Sequence, residues 1–235
     1  VLRVTVLELP ARWGDAAAAL VALERLLERG PETDLVVLPE LALTGYVSAA
    51  LSFDVTPFAE PTSGPTMRGA AEIAARRRVH LLLPHALREG KQVYNACSVI
   101  APDGARLATY RKRHPWAPET WATRGPDPPP VIDIGGVRTT IAICYDVHFL
   151  AWDTHAELEA SDLLLFPSAW VDPHDTRLDT LVSLARRFEV SIASANWSAG
   201  VVNVRGQGDS CIIGRRGEIL ARVTPGDVRA DAEIT

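Results

Sequence analysis

Residues 2–9 alternate apolar and polar side chains and are rich in branched ones, the period-two pattern of a strand. From residue 15 the apolar positions switch to the three-to-four spacing of an amphipathic helix, which Gly30 ends. Residues 34–38 form a continuous apolar run closed by Pro39, as expected of a short strand buried on both faces. The turn Thr44-Gly45-Tyr46 and a loop rich in proline and glycine lead to Pro65, a residue suited to a first helical turn, so a second helix is expected over 67–78 and a strand over 80–83. Residues 94–101 and 106–110, joined across Pro102-Asp103-Gly104-Ala105, predict an antiparallel hairpin.

Residues 113–130 are rich in proline and have little periodicity, so they are expected as a long irregular loop of the kind that carries function. Beyond it, 131–134 and 137–143 flank Gly135-Gly136 as a second hairpin. Residues 149–160 are weakly helical, 162–166 a buried strand, 176–189 a clear amphipathic helix and 190–195 a strand. Strands at 210–213 and 218–223 bracket Gly214-Arg215-Arg216-Gly217, and 228–234 alternates as a closing strand. The chain thus has two halves, each with strands and two helices, and no linker or short repeat separates them. The economical architecture is an α/β fold, a four-layer α-β-β-α sandwich, formed by one domain over residues 1–235.

Composition narrows the class. With 235 residues, 47% apolar and 23% charged, the chain can bury a sizeable core. A net charge of -5 argues against a nucleic-acid or anionic-membrane partner, and Arg76-Arg77-Arg78 is expected as a solvated helix end. No stretch approaches the roughly 20 apolar residues of a membrane span, and the opening residues read as a strand rather than a signal peptide, so a cytoplasmic location is expected. Three cysteines are too few and too scattered for a disulfide framework or a zinc knuckle; Cys97 and Cys211 lie in apolar strands and are expected as core thiols. His148 and His155 with Cys144 or Asp153 match no common zinc spacing, so no metal or other cofactor is expected. A cysteine-histidine hydrolase using His114 or His148 would be a rival, but neither histidine has a recognisable context.

Lysine usage points to the chemistry. Of 24 basic residues only Lys91 and Lys112 are lysines, and Lys112 stands between two arginines in Tyr110-Arg111-Lys112-Arg113-His114, where charge alone needs no lysine. A lysine ammonium is a compact donor that can give up a proton, which a guanidinium does not. Three predicted strands end in reactive side chains: Leu35-Val36-Val37-Leu38-Pro39 at Glu40, residues 106–111 at Lys112, and Thr140-Ile141-Ala142-Ile143 at Cys144. A thiol with an ordinary pKa of about 8.5 needs a base, which Glu40 supplies in this reading, while Lys112 and the backbone N–H of Tyr145 stabilise an oxyanion. Glu40 can then protonate a departing nitrogen and activate water.

These stretches resemble the nitrilase superfamily, the carbon-nitrogen hydrolases with a Glu-Lys-Cys triad. The likeness rests on Leu38-Pro39-Glu40-Leu41-Ala42-Leu43-Thr44-Gly45-Tyr46, Tyr110-Arg111-Lys112-Arg113-His114, Ile143-Cys144-Tyr145-Asp146 and Phe166-Pro167-Ser168-Ala169-Trp170, in that order across nearly the whole chain. It implies Glu40 as general base, Lys112 as oxyanion and proton partner, Cys144 as nucleophile, and a fold that commonly forms homodimers or higher homo-oligomers. The loop Lys112-Arg113-His114-Pro115-Trp116-Ala117-Pro118-Glu119-Thr120-Trp121 resembles the amidase version, which makes Glu119 the candidate second active-site glutamate. Tyr46, Trp116 and Trp170 are the expected substrate-binding residues, with Trp121 and Trp197 as further aromatic candidates for the pocket or its packing. Tyr145-Asp146 after the cysteine, in place of tryptophan and glutamate, favours amides over nitriles. Phe149-Leu150-Ala151-Trp152-Asp153-Thr154 lacks the glutamate and arginine many relatives carry there, so substrate and oligomer do not transfer. The expected activity is hydrolysis of a small carboxamide to acid and ammonia through a cysteine thioester; the alternatives are a nitrile or N-carbamoyl hydrolase, or a catalytically weak binding or assembly subunit.

Overall fold

A computed structural model describes residues 1–9, 12–172, 174, 176–198, 203 and 206–235. The first half runs β1 (Leu2–Leu7), α1 (Ala16–Arg29), β2 (Leu35–Val37), α2 (Pro65–Arg77), β3 (His80–Glu89), β4 (Gln92–Ile100) and β5 (Arg106–Arg111). The second runs β6 (Ile132–Ile134), β7 (Val137–Ile141), α3 (Leu150–Asp153), α4 (His155–Glu159), β8 (Leu163–Ser168), α5 (Arg177–Phe188), β9 (Ser191–Asn196), β10 (Cys211–Ile213), β11 (Ile219–Arg222) and β12 (Arg229–Ile234). One sheet has the order β12-β1-β2-β3-β4-β5 and the other β11-β10-β9-β8-β7-β6. Each has a parallel centre, β1-β2-β3 in one and β7-β8-β9 in the other, with antiparallel strands outside it.

The continuous apolar run of β2 has a direct explanation in the layers. Leu35 and Val37 face the core between the sheets, with Val4, Val6, Leu82, Ile141, Leu165 and Ile192. Val36 and Leu38 face the other way, into a second cluster with Ala19 and Leu23 of α1 and Met67, Ala70, Ile73 and Ala74 of α2. A strand covered on both sides has no polar face, and α5 covers the other sheet through Leu181, Leu184 and Ala185. The result is the α-β-β-α sandwich. Asp15 caps α1 by accepting from Ala18 N at 3.0 Å. α2 ends in arginines as expected, Arg76 and Arg78 exposed, and Arg76 and Arg77 also pair at the surface with Glu24 and Glu28 of α1 and tie the two helices together.

Two elements differ from the sequence expectation. The strand expected at 80–83 continues through Pro84 to Glu89 and forms a hairpin with β4 across Gly90-Lys91. β2 pairs with β3 no further than Leu82, so Pro84 lies where β4 is the ladder partner and one side of the strand needs no N–H. The weakly helical 149–160 is two short helices broken at Thr154. All three cysteines are free, and Cys97 and Cys211 are buried in β4 and β10. No described helix is long and apolar enough to cross a membrane.

Candidate active site

Glu40, Lys112 and Cys144 all lie just beyond strands of the two facing sheets, on β2, β5 and β7. Each position is fixed by its own turn. After Glu40 the backbone turns at Leu41 (φ +50°), and Ala42 N donates to Pro39 O at 3.1 Å. Lys112 is pinned from both sides: its N–H donates to Asn95 O and its carbonyl accepts from Gly125 N, each at 2.8 Å. Gly125 has to be glycine, because a Cβ there would stand 2.1 Å from Arg111 O. Cys144 opens a 3-10 helix, Cys144–His148, with φ +45°, a left-handed conformation that costs a non-glycine residue about 1–2 kcal/mol.

Asp146 braces that strained turn. Its carboxylate accepts from Ile143 N (3.1 Å), the Tyr110 hydroxyl (2.9 Å) and His114 N (2.9 Å), so the cysteine turn is tied to the strand and loop that flank Lys112. His114 also contacts Asp153 through Nε2 at 2.9 Å and stacks on Phe149 at 4.0 Å. The segment that departs from the family pattern is therefore docked on the lysine loop.

The side chains converge in one buried cluster. Lys112 Nζ donates to Glu40 Oε1 at 2.6 Å and to Glu119 Oε1 at 2.8 Å. Asn95 Nδ2 also bridges the two carboxylates, at 2.7 Å from Glu40 and 3.2 Å from Glu119. Glu40 Oε2 accepts from Ala169 N at 2.9 Å. Glu119 further accepts from the Tyr46 hydroxyl (2.8 Å) and Trp116 N (3.0 Å), the latter closing its own loop. Every charged member is at most 2% exposed. Two carboxylates and one ammonium thus share a dry site, and removing the ammonium would leave the carboxylates buried together. Lys112→Met is accordingly expected to lower unfolding free energy by about 3–5 kcal/mol in urea melts; a loss below about 1 kcal/mol would contradict the buried-pair reading.

Burial and charge set the protonation states. Burial, and then the neighbouring Glu40 carboxylate, push the Cys144 thiol well above its ordinary value, although Lys112 and the Ala169 amide pull the other way. The sulfur is therefore a thiol at neutral pH and needs a base. Burial opposes the charge on Lys112, but Glu40 and Glu119 outweigh it, so the ammonium is held above the ordinary lysine range. Burial raises Glu119 against the pull of Lys112, yet its four donors suit a carboxylate.

Cys144 opens on a cavity of about 250 Å³ lined by Tyr46, Trp116, Tyr145, His148, Trp170 and Asp172 among others. Tyr145 lies in the first turn of the 3-10 helix, where backbone N–H groups have no partner within the helix. The substrate-binding candidates Tyr46, Trp116 and Trp170 all line this cavity. Trp197 and Trp121 are packed with Tyr46 in an aromatic cluster. His155 is remote from this cluster of contacts, against Glu159 and Phe188. Three participants escaped the sequence reading, Asn95, the Ala169 amide and Asp172, while His148, weighed there only as a metal ligand or a rival catalytic histidine, lines the cavity. Asn95 had a signal, a polar residue inside the otherwise largely apolar 94–100 strand, where burial demands partners.

Comparison with known proteins gives the family and the fold. The profile of a family described as carbon-nitrogen hydrolase matches residues 3–228. A Pseudomonas protegens protein named as the hydrolase in the pqqF 5' region is 31% identical over 225 residues, 94% of this chain and 78% of its own. An omega-amidase, YafV of Yersinia enterocolitica, is 29% identical over 242 residues, covering 100% of this chain and 90% of its own. Among solved structures, a double mutant of the amidase from Nesterenkonia sp. AN1 in complex with acrylamide superimposes with a TM-score of 0.86 at 22% identity, over 100% of this chain and 90% of that one, a likeness of fold.

Proposed function

Because the chain belongs to the carbon-nitrogen hydrolase family, and is thus a hydrolase of the amidase and nitrilase type, we propose that it converts a small carboxamide to carboxylic acid and ammonia through a thioester on Cys144. The observation that carries this reading is the buried Lys112 ammonium bridging Glu40 and Glu119 beside a cysteine that faces a cavity. Amidase names among the relatives support the choice of an amide.

In this mechanism Glu40 takes the proton from Cys144 as the sulfur attacks the amide carbon. The carbonyl oxygen becomes an oxyanion, stabilised by Lys112 Nζ and the Tyr145 N–H. Collapse of the tetrahedral species breaks the C–N bond, and protonated Glu40 gives its proton to the departing nitrogen, which leaves as ammonia. A water molecule then attacks the thioester with Glu40 again as base. The C–S bond breaks, the acid departs and the sulfur regains its proton. Glu119 holds the lysine in place and orders the Trp116 side of the cavity, while Asn95 keeps the two carboxylates apart at a fixed spacing.

Ammonia release from a panel of small carboxamides tests the proposal. Wild type is expected to turn over at least one of them, and Cys144→Ala and Cys144→Ser none; a nitrile is expected to react more slowly than its matching amide. Equal ammonia release by wild type and Cys144→Ala would sink the thioester reading, and a nitrile that outpaces its amide would replace the substrate class.

A further inference from the structure

We propose that the cavity takes a carboxamide whose acyl chain carries an ammonium group, selected by Asp172, an inference that rests on the amidase reading above. The first ground is the sign of charge around the site. Behind the lining residue Tyr46, whose hydroxyl donates to Glu119, one ammonium, Lys112, faces two carboxylates, Glu40 and Glu119. Among the described lining residues there is no lysine or arginine, and the one carboxylate is Asp172. Its Oδ1 accepts from His174 N at 2.8 Å and its Oδ2 from Thr176 N at 2.8 Å. The Thr176 hydroxyl and backbone, then the His174 backbone, hold this carboxyl well below the usual carboxylate range, so it is charged at neutral pH. Burial lowers the one histidine among the described lining residues, His148, which keeps its ring neutral there, against the opposing pull of Asp172.

The second ground is the wall. Tyr46, Trp116, Tyr145 and Trp170 give the cavity four aromatic side chains. Aromatic faces attract a cation through their quadrupole, and an aromatic wall with a nearby carboxylate is a chemistry suited to binding an ammonium. The buried Trp170 side chain lines the cavity beside Asp172 and helps to hold its carboxyl in the charged form. A carboxylate on the acyl chain would instead meet Asp172, with no lysine or arginine among the described lining residues to balance it.

The test compares three amides of equal chain length at neutral pH: 4-aminobutyramide, butyramide and succinamate, which are cationic, neutral and anionic. Wild type is expected to show kcat/KM in that descending order. Asp172→Asn is expected to lower the ratio of 4-aminobutyramide to succinamate by about tenfold or more. Asparagine and serine both keep a capping oxygen for the turn before α5, so Asp172→Ser provides a second reading of the same ratio. Any wild-type order in which 4-aminobutyramide is not first, or a ratio unchanged in a folded variant, overturns the proposal. Failure of wild type on all three would overturn the carboxamide reading itself, and this inference with it, whereas turnover in the wrong order leaves that reading standing.

Discussion

Glu40→Gln is expected to lower kcat/KM for a carboxamide by about a thousandfold or more. Glutamine has nearly the same shape, so the change isolates proton transfer from packing. Glu40 accepts from Lys112 and Asn95 on one oxygen and from the Ala169 amide on the other. Glutamine offers one acceptor and one NH2, and it can take no proton from the thiol at either position. Because burial holds Cys144 in its thiol form, no other route to the thiolate is ready at neutral pH. Initial rates of ammonia release measure the effect; retention of more than a tenth of wild-type activity would remove Glu40 from the role of base.

Lys112→Arg is the second large effect, a loss of about a hundredfold to a thousandfold with the charge retained. Lys112 is fully buried, and its Nζ reaches two carboxylate oxygens at 2.6 and 2.8 Å. A guanidinium is planar and larger, so it cannot occupy that point while leaving room for an oxyanion beside the sulfur. Lys91→Arg is the matched control, in the exposed turn between β3 and β4, and its activity is expected to equal wild type. If Lys112→Arg also retained wild-type rates, charge alone would suffice at this position and the compact-donor argument would fail.

The sandwich was legible because alternation and continuous apolar runs report burial on one face or two. Residues 34–38 have no polar side to give to solvent except at their start, which placed β2 between two layers before any pairing was known. The strand expected over 80–83 falls short of β3, which runs on through Pro84 because a missing N–H matters only where a neighbour strand asks for it, and sequence does not show where β2 stops. The site divides in the same way. Glu40, Lys112 and Cys144 end recognisable strands within family motifs, so local pattern found them. Asn95 sits in mid-strand, and its part depends on which residues from 55 and 24 positions away meet its amide, a tertiary fact. The Ala169 N–H is invisible in principle, because every non-proline residue carries one and only the fold aims it. Asp172 likewise reads as an ordinary turn acid until the cavity is seen.

Rapid-quench mass spectrometry during the first turnover of a reactive carboxamide tests directly whether Cys144 carries the acyl group. The expected product is a peptide in which the acyl group replaces the hydrogen on the Cys144 sulfur, appearing with ammonia release and before the free acid. Formation of ammonia and acid together, with Cys144 unmodified at every time point, would contradict it.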